Sequence, residues 1–263
     1  MIYGIPSLLE FPTARDLAEF CAEHEFDFME MNMTFPWFQA GVLSIPTLRE
    51  LKQRYGIGLT IHLHDQFNPF EFSPELRQAH LDLFRFAAEV ATQLDITRMT
   101  MHLMPGTYST VNGEKKYLYE FLEPTYLHYV QTFGRFADNL LRDTDTLVCI
   151  ENTIGFRPFH QDAIDLLLES DHFGLTFDIG HNYKAGGSDE AFILAHDRKL
   201  RHFHIHDCSF SSNHLAFGAG GLDLMRYLDM ARSHDCSVVA EVKESSALVQ
   251  SKDYLIRHGC WNR

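Results

Sequence analysis

The sequence alternates between short apolar runs and longer amphipathic segments along its whole length. The runs are residues 2–5, 26–31, 57–64, 96–103, 146–152, 173–180, 200–207 and 236–243. Helix-like segments lie between them, at residues 13–24, 44–55, 74–94, 124–142, 161–169, 221–234 and 245–258. Ser73-Pro74 and Glu123-Pro124 mark two helix starts, with Pro at the first helical position. Regular alternation of strand and helix predicts an α/β fold with a parallel sheet.

Eight strands and about eight helices in 263 residues predict a single (β/α)8 TIM barrel that covers residues 1–263. A content of 45% hydrophobic residues suffices for one sizeable core. A doubly wound open sheet is the alternative, but such sheets usually carry a Gly-rich phosphate loop after the first strand. Here that segment reads GIPSLLEFPT. The long connection from Met104 to Glu123 is interpreted as a lid.

Ionisable residues stand where the predicted strands end, which is the face of a barrel that carries active sites. From the third strand to the eighth they are His62, His102, Glu151, Asp178, His204, Glu241 and Lys243. Side chains two apart on a strand share a face. In the fifth strand Glu151 shares its face with Cys149, whereas Val148 and Ile150 take the other. We therefore expect the ionisable faces to point to the barrel axis and the apolar faces to the helices.

Several carboxylates and imidazoles aimed into one mouth predict a divalent metal ion. A buried carboxylate without a partner is costly, and barrel interiors are normally filled with branched apolar side chains. Each residue alone also fits a structural role, since Asp178 could cap the following turn and Glu151 or Glu241 could pair with Lys243 or Arg157. His202 and His206, which flank His204 in the seventh strand, are interpreted as hydrogen-bonded core residues.

Six short motifs carry a resemblance to a known family. They are HL at 62–63, MHLMPG at 101–106, IENT at 150–153, FDIGH at 177–181, HIHD at 204–207 and AEVK at 240–243. In this order and spacing the sequence resembles the xylose isomerase-like barrels, which include sugar isomerases, sugar 3-epimerases, inosose dehydratase and endonuclease IV. The likeness covers nearly the whole chain.

The resemblance implies a divalent metal (Mn, Zn, Mg or Co) held by Glu151, Asp178, His204 and Glu241; the ligand types do not choose among these ions. It also implies that further residues bind a second metal or the substrate, namely His62, His102, His181, His214 and Lys243. One ligand position of the endonuclease IV type is lost, because Ser212 stands where that enzyme has Asp. The ketose 3-epimerase pattern is also incomplete, since Arg157 and Phe210 replace a substrate-binding Glu and Arg.

The predicted function is a metal-dependent isomerase or epimerase of a sugar, sugar acid or related polyol. Glu151 and Glu241 would act as catalytic acid and base, transferring a proton through a metal-stabilised enediolate. Phe35, Trp37 and Phe38 could line the apolar side of a sugar. The alternative is a metal-dependent phosphodiesterase of the endonuclease IV type. A non-catalytic binder of small ligands on the same fold is a third reading.

The composition of the chain limits which binding partners and which cellular compartment we expect. The formal charge of −14 repels nucleic-acid phosphates and anionic lipid, and so argues against both partners. Five cysteines without a CxxC pair are expected to be reduced thiols. With no signal peptide and no apolar run of membrane length, we expect a cytoplasmic protein. Many members of the family form dimers or tetramers, so a homo-oligomer is also expected from the resemblance.

Overall fold

Eight parallel strands close into a barrel in the computed structural model, which describes residues 1–261. In chain order the strands are β1 (Tyr3–Ile5), β2 (Phe28–Asn32), β3 (Gly58–His62), β4 (Arg98–His102), β5 (Tyr108–Val111), β6 (Glu114–Tyr117), β7 (Leu147–Glu151), β8 (Phe173–Asp178), β9 (Leu200–Ile205) and β10 (Ser237–Ala240). The barrel runs β1-β2-β3-β4-β7-β8-β9-β10 and closes by pairing of β10 with β1. The predicted (β/α)8 barrel is confirmed, and the open doubly wound sheet is excluded.

Helices follow the barrel strands, and polar caps start several of them. They are α1 (Ala14–Glu23), α2 (Ile45–Tyr55), α3 (Pro74–Leu94), α4 (Leu118–Phe121), α5 (Glu123–Leu141), α6 (Pro158–Leu168), α7 (Ile179–Lys184), α8 (Glu190–Ala195), α9 (Leu224–Ser233) and α10 (Ser245–Arg257). Ser73 caps α3 as predicted, because its hydroxyl accepts the Leu76 N–H and Pro74 opens the helix. The predicted start of α5 is wrong by one residue, since Glu123 is the first helical residue and Pro124 the second.

The two faces of the barrel strands have opposite character, and this positions the site. In β8 and β9 the outward face is apolar: Phe177 lies 5.6 Å from Phe203 and 5.7 Å from Tyr227 of α9, between ring centroids. The inward face carries polar groups that contact one another inside the barrel. The hydroxyl oxygens of Thr100 and Thr176, for example, are 3.4 Å apart. Ionisable residues on the inward face are therefore directed along the axis.

The long connection after β4 has a structure of its own. Strands β5 and β6 form an antiparallel hairpin outside the barrel. Its turn is Asn112-Gly113, with φ of 52° and 81°, the left-handed backbone that a tight hairpin needs. The guanidinium of Arg157 lies 4.2 Å above the ring of Tyr117 and donates to its hydroxyl at 3.3 Å. The base of the hairpin is thereby held against the start of α6.

Two further sequence expectations concern the whole chain. All five cysteines are buried, and none of them forms a disulfide, as expected for reduced thiols. Within residues 1–261, no helix combines the length and the apolar character that crossing a membrane requires.

Candidate metal centre

The C-terminal ends of β7 to β10 bring four side chains to one point at the barrel mouth. Glu151, Asp178, His204 and Glu241 each contribute a ligand-type atom, and these four atoms lie within 4.8 Å of one another. All four residues are buried. The imidazole Nδ1 of His204 lies 3.0 Å from Oε1 of Glu151 and 3.5 Å from Oε2 of Glu241. The structure thus brings together the four residues that the sequence singled out as ligands.

Each of the three carboxylates in this group has a buried oxygen that makes no regular hydrogen bond, although an imidazole nitrogen lies within 3.5 Å of it: Oε2 of Glu151, Oδ2 of Asp178 and Oε2 of Glu241. Buried polar atoms are nearly always hydrogen-bonded, because leaving them unpaired costs free energy. A divalent cation would satisfy all three oxygens at once. Three carboxylates and one imidazole also form a donor set that Mn, Co and Zn accept. The residues therefore fit the ion that the sequence predicts.

The electrostatics of the group follow from the same crowding. Burial would raise the pKa of Glu151, but the His204 and His102 imidazoles outweigh burial and hold that pKa well below its usual range. Burial likewise opposes ionisation of Glu241, and Lys243 and His204 reverse the effect and lower its pKa. Burial would lower the pKa of His204, whereas Glu151 and Glu30 raise it well above its ordinary value. The carboxylates and the imidazoles thus favour each other's charged forms.

Two histidines on β3 and β4 face the same carboxylate. The Nε2 atoms of His62 and His102 lie 3.3 Å and 3.2 Å from Oε2 of Glu151, and their ring centroids are 4.7 Å apart. Burial would lower the pKa of His62, but Glu151 outweighs it and raises that pKa to about 9. Both side chains point into the mouth, as the strand parity predicts.

A cluster of three histidines lies beside Asp178. The rings of His181, His206 and His214 each offer a nitrogen, and these atoms lie within 4.8 Å of one another. His181 Nδ1 is 3.3 Å from Oδ2 of Asp178, and His206 Nε2 is 3.2 Å from its Oδ1. Asp178 Oδ1 also accepts the His181 N–H at 2.6 Å and so caps α7. Asp178 therefore caps α7 and also belongs to the group of four residues at the barrel mouth.

A family model described as xylose isomerase-like TIM barrel matches residues 18–258. The chain belongs to this family. An uncharacterised protein of Methanocaldococcus jannaschii, MJ1311, is 26% identical over 97% of this chain and 88% of its own. A crystal structure of a D-tagatose 3-epimerase-like protein superposes with a TM-score of 0.80 at 23% identity, covering 98% of this chain and 97% of that one. A structure of an IolI protein with a bound zinc atom gives 0.72 at 16% identity, with the same coverages. These two likenesses establish the fold.

Within this xylose isomerase-like barrel, a cavity of about 280 Å³ opens beside Glu241. Glu241, Lys243, His62, Glu30 and Phe35 are among its lining residues. Lys243 Nζ donates to Oε1 of Glu241 at 2.7 Å. Phe35 therefore lines this cavity, whereas Phe38 is fully buried in the core.

Sequence reasoning missed one member of the site, Glu30 on β2. This carboxylate is buried, with Oε1 3.2 Å from Nε2 of His204 and Oε2 3.5 Å from Nε2 of His202. The signal was present in the run FMEMN, where Glu30 alternates with the apolar Met29 and Met31. The parity test applied to the later strands would have assigned it to the barrel axis. Glu30 was missed because only residues at strand ends were considered, and Glu30 lies in the middle of β2.

Proposed function

We propose that this member of the xylose isomerase-like family is a divalent-metal-dependent isomerase or epimerase that acts on a sugar, sugar acid or related polyol. The observation that carries the proposal is the convergence of Glu151, Asp178, His204 and Glu241 around carboxylate oxygens that make no regular hydrogen bond. The similarity in fold to a D-tagatose 3-epimerase-like protein and to an IolI protein with bound zinc supports it.

In this proposal Glu151, Asp178, His204 and Glu241 hold the cation. Once bound, a divalent cation supplies Lewis-acid stabilisation of the negative charge that develops on a substrate carbonyl oxygen. The protein residues supply the proton transfer. Glu151 and Glu241 come from different strands, and both lie within 3.5 Å of His204 Nδ1. The ionised one takes a proton from the carbon beside the carbonyl, and a proton is then given to the same or the next carbon, either by this glutamate or by the other one when that residue enters the step protonated.

The surroundings suit these roles. The lowered pKa values of Glu151 and Glu241 keep both carboxylates in the ionised form that a metal ligand requires. Lys243 neutralises one oxygen of Glu241 and leaves the other directed at the centre. The adjoining cavity, at about 280 Å³, is close to the lower end of small-molecule sites, about 300 Å³. It matches a small polyol, with Phe35 beside the apolar side of the ring.

Isotope exchange tests the proposed chemistry. Metal-stripped protein is reloaded with Mn, Co, Zn or Mg and incubated in deuterated water with ketoses, sugar acids and cyclitol ketones. A substrate should gain deuterium beside its carbonyl only in metal-loaded samples. Deuterium uptake that persists without metal would contradict the proposed dependence, and no uptake into any member of the panel would contradict the isomerase reading.

A second function is favoured by one observation, the approach of both His62 and His102 to Oε2 of Glu151. This arrangement would let Glu151 bridge two metal ions, as expected for a phosphodiesterase of the endonuclease IV type. The formal charge of −14 opposes it, because a DNA-binding surface needs a basic face. Cleavage of an oligonucleotide with an abasic site at low salt, without deuterium uptake into any sugar, would replace the isomerase proposal.

A further inference from the structure

A fourth buried carboxylate, that of Glu30, lies on the deep side of His204, which is the side of the ring opposite Glu151 and Glu241. The side chain of Glu30 is 3% exposed, and its Oε1 lies 3.2 Å from Nε2 of His204. The opposite ring nitrogen, Nδ1, faces Glu151 and Glu241. The imidazole therefore stands between two carboxylate environments, one on each of its nitrogens.

Glu30 is itself held in place by residues from other strands. Thr60 donates its hydroxyl to Oε2 of Glu30 at 3.4 Å, and Nε2 of His202 lies 3.5 Å from the same oxygen. The other nitrogen of His202 is 2.6 Å from the hydroxyl of Ser237. The deep carboxylate is thus fixed from β3, β9 and β10.

An imidazole can bind a metal only through a nitrogen that carries no proton. A carboxylate beside one ring nitrogen favours the proton there and leaves the other nitrogen free for the metal. In this structure the Glu30–His204 contact is close but off the axis of a regular hydrogen bond, and Nε2 of His204 finds no regular partner within residues 1–261. Glu30 is the carboxylate that faces this nitrogen.

We propose that Glu30 is a positioning residue for the candidate metal centre, which keeps the proton of His204 on Nε2 and directs Nδ1 to the cation. The inference rests on the metal centre of the proposed function, and it is independent of the reaction that the centre catalyses. It gives Glu30 a role in metal affinity that acts through His204.

The test measures zinc affinity by competition with a chelator in three variants. Glu30→Leu removes the acceptor and should weaken zinc binding by about 10- to 100-fold, the usual cost of losing such a partner of a metal ligand. Glu30→Gln keeps a neutral acceptor, which binds about half as strongly as an ionised one, so the loss should be about 3- to 10-fold. Thr100→Val is the matched control, since it alters a buried hydroxyl on the barrel axis that contacts Thr176, and its affinity should equal that of wild type.

A spectroscopic readout separates positioning from a general loss of packing. In zinc-loaded protein labelled with ¹⁵N-histidine, His204 should coordinate through Nδ1 and keep a slowly exchanging Nε2–H, identified by its absence in His204→Asn. In Glu30→Gln that proton should exchange faster. Coordination through Nε2 in wild type would overturn the proposal.

The affinities have equally definite outcomes. Wild-type affinity in both Glu30 variants, or an equal loss in Thr100→Val, would overturn the positioning role. If Glu30→Leu does not fold, the zinc affinity of Glu30→Gln is compared with that of the same control variant, and this comparison tests the proposal. Absence of zinc binding by wild type would overturn the metal centre of the proposed function, and the inference with it, whereas wild-type binding that is insensitive to Glu30 overturns the inference alone.

Discussion

The two sides of His204 use the same residue types and differ in the number of carboxylates. On the deep side, one carboxylate, that of Glu30, faces two imidazoles and a hydroxyl, and the far imidazole reaches Ser237. On the mouth side, three carboxylates converge beside one ring nitrogen of His204. Buried atoms without a regular hydrogen bond occur on both sides, so the unpaired atoms alone do not distinguish them. The excess of carboxylates on the mouth side is the feature that favours a cation there.

The largest change in activity is expected for Glu241→Gln, which replaces a carboxylate on the mouth side. The amide keeps the shape and one oxygen ligand but removes the base. Turnover should fall by roughly 10²- to 10⁴-fold, as is typical for a lost acid–base group, and metal content should fall less. Both quantities are measured on the same sample. Glu244→Gln, the same change at an exposed position three residues later, is the control and should behave as wild type. Equal turnover in the two variants would remove Glu241 from the chemistry.

Asp178→Asn tests whether the mouth needs an ion for stability. Asn still caps a helix well, so α7 should remain, but one charged ligand is lost. A cation at 100 times its dissociation constant should stabilise wild type by about 2.7 kcal/mol. Thermal unfolding with and without zinc should show this gain in wild type and none in Asp178→Asn at the same zinc concentration. A full gain in the variant would show that the ion binds elsewhere.

The pH dependence of stability should differ between metal-free and metal-loaded protein. The pKa of His62 is raised to about 9 from an ordinary 6.5, so its contribution is complete below pH 6.5 and is lost as the pH rises through 9. Glu151 has a lowered pKa and does not change in this window. Metal-free protein should lose about 1 to 3 kcal/mol of unfolding free energy between pH 6.5 and 9.

In metal-loaded protein this loss should shrink, because the cation takes over the balance of charge from the histidine protons. Denaturant unfolding at pH 6.5 and pH 9, with and without zinc, measures both slopes. Identical slopes in the two forms would mean that the mouth is already balanced without a cation, and the contrast between the two sides of His204 would disappear.

The smallest expected effect comes from the deep side. Ser237→Ala removes the hydroxyl that lies 2.6 Å from Nδ1 of His202. It should cost about 1 kcal/mol of unfolding free energy, the usual net value of one hydrogen bond. Metal stoichiometry by elemental analysis should stay as in wild type. Loss of the metal in this variant would show that the two sides are not separable.

The fold and the residues at the barrel mouth could be predicted because both depend on local sequence patterns, namely apolar runs and the alternation of residues within each strand. All eight barrel strands lie within or within one residue of the predicted runs, and alternation within each strand placed residues such as Glu151 on the axis. Glu30 follows the same rule but lies mid-strand, and its importance depends on a contact with β9. The grouping of His206 with His181 and His214 depends on the loop after β9, where Asp207 pairs with Leu215 and His214 has a φ of 51°. Tertiary contacts determine the conformation of such a loop, and no periodic pattern in the sequence predicts it.

Anomalous diffraction from crystals grown with zinc tests the central claim most directly. The account predicts an anomalous peak at the barrel mouth, with Glu151, Asp178, His204 Nδ1 and Glu241 as ligands and oxygens at about 2.0–2.2 Å. A map without a peak among these four residues, in crystals that diffract well and contain zinc, would contradict it. So would a peak found solely among His181, His206 and His214.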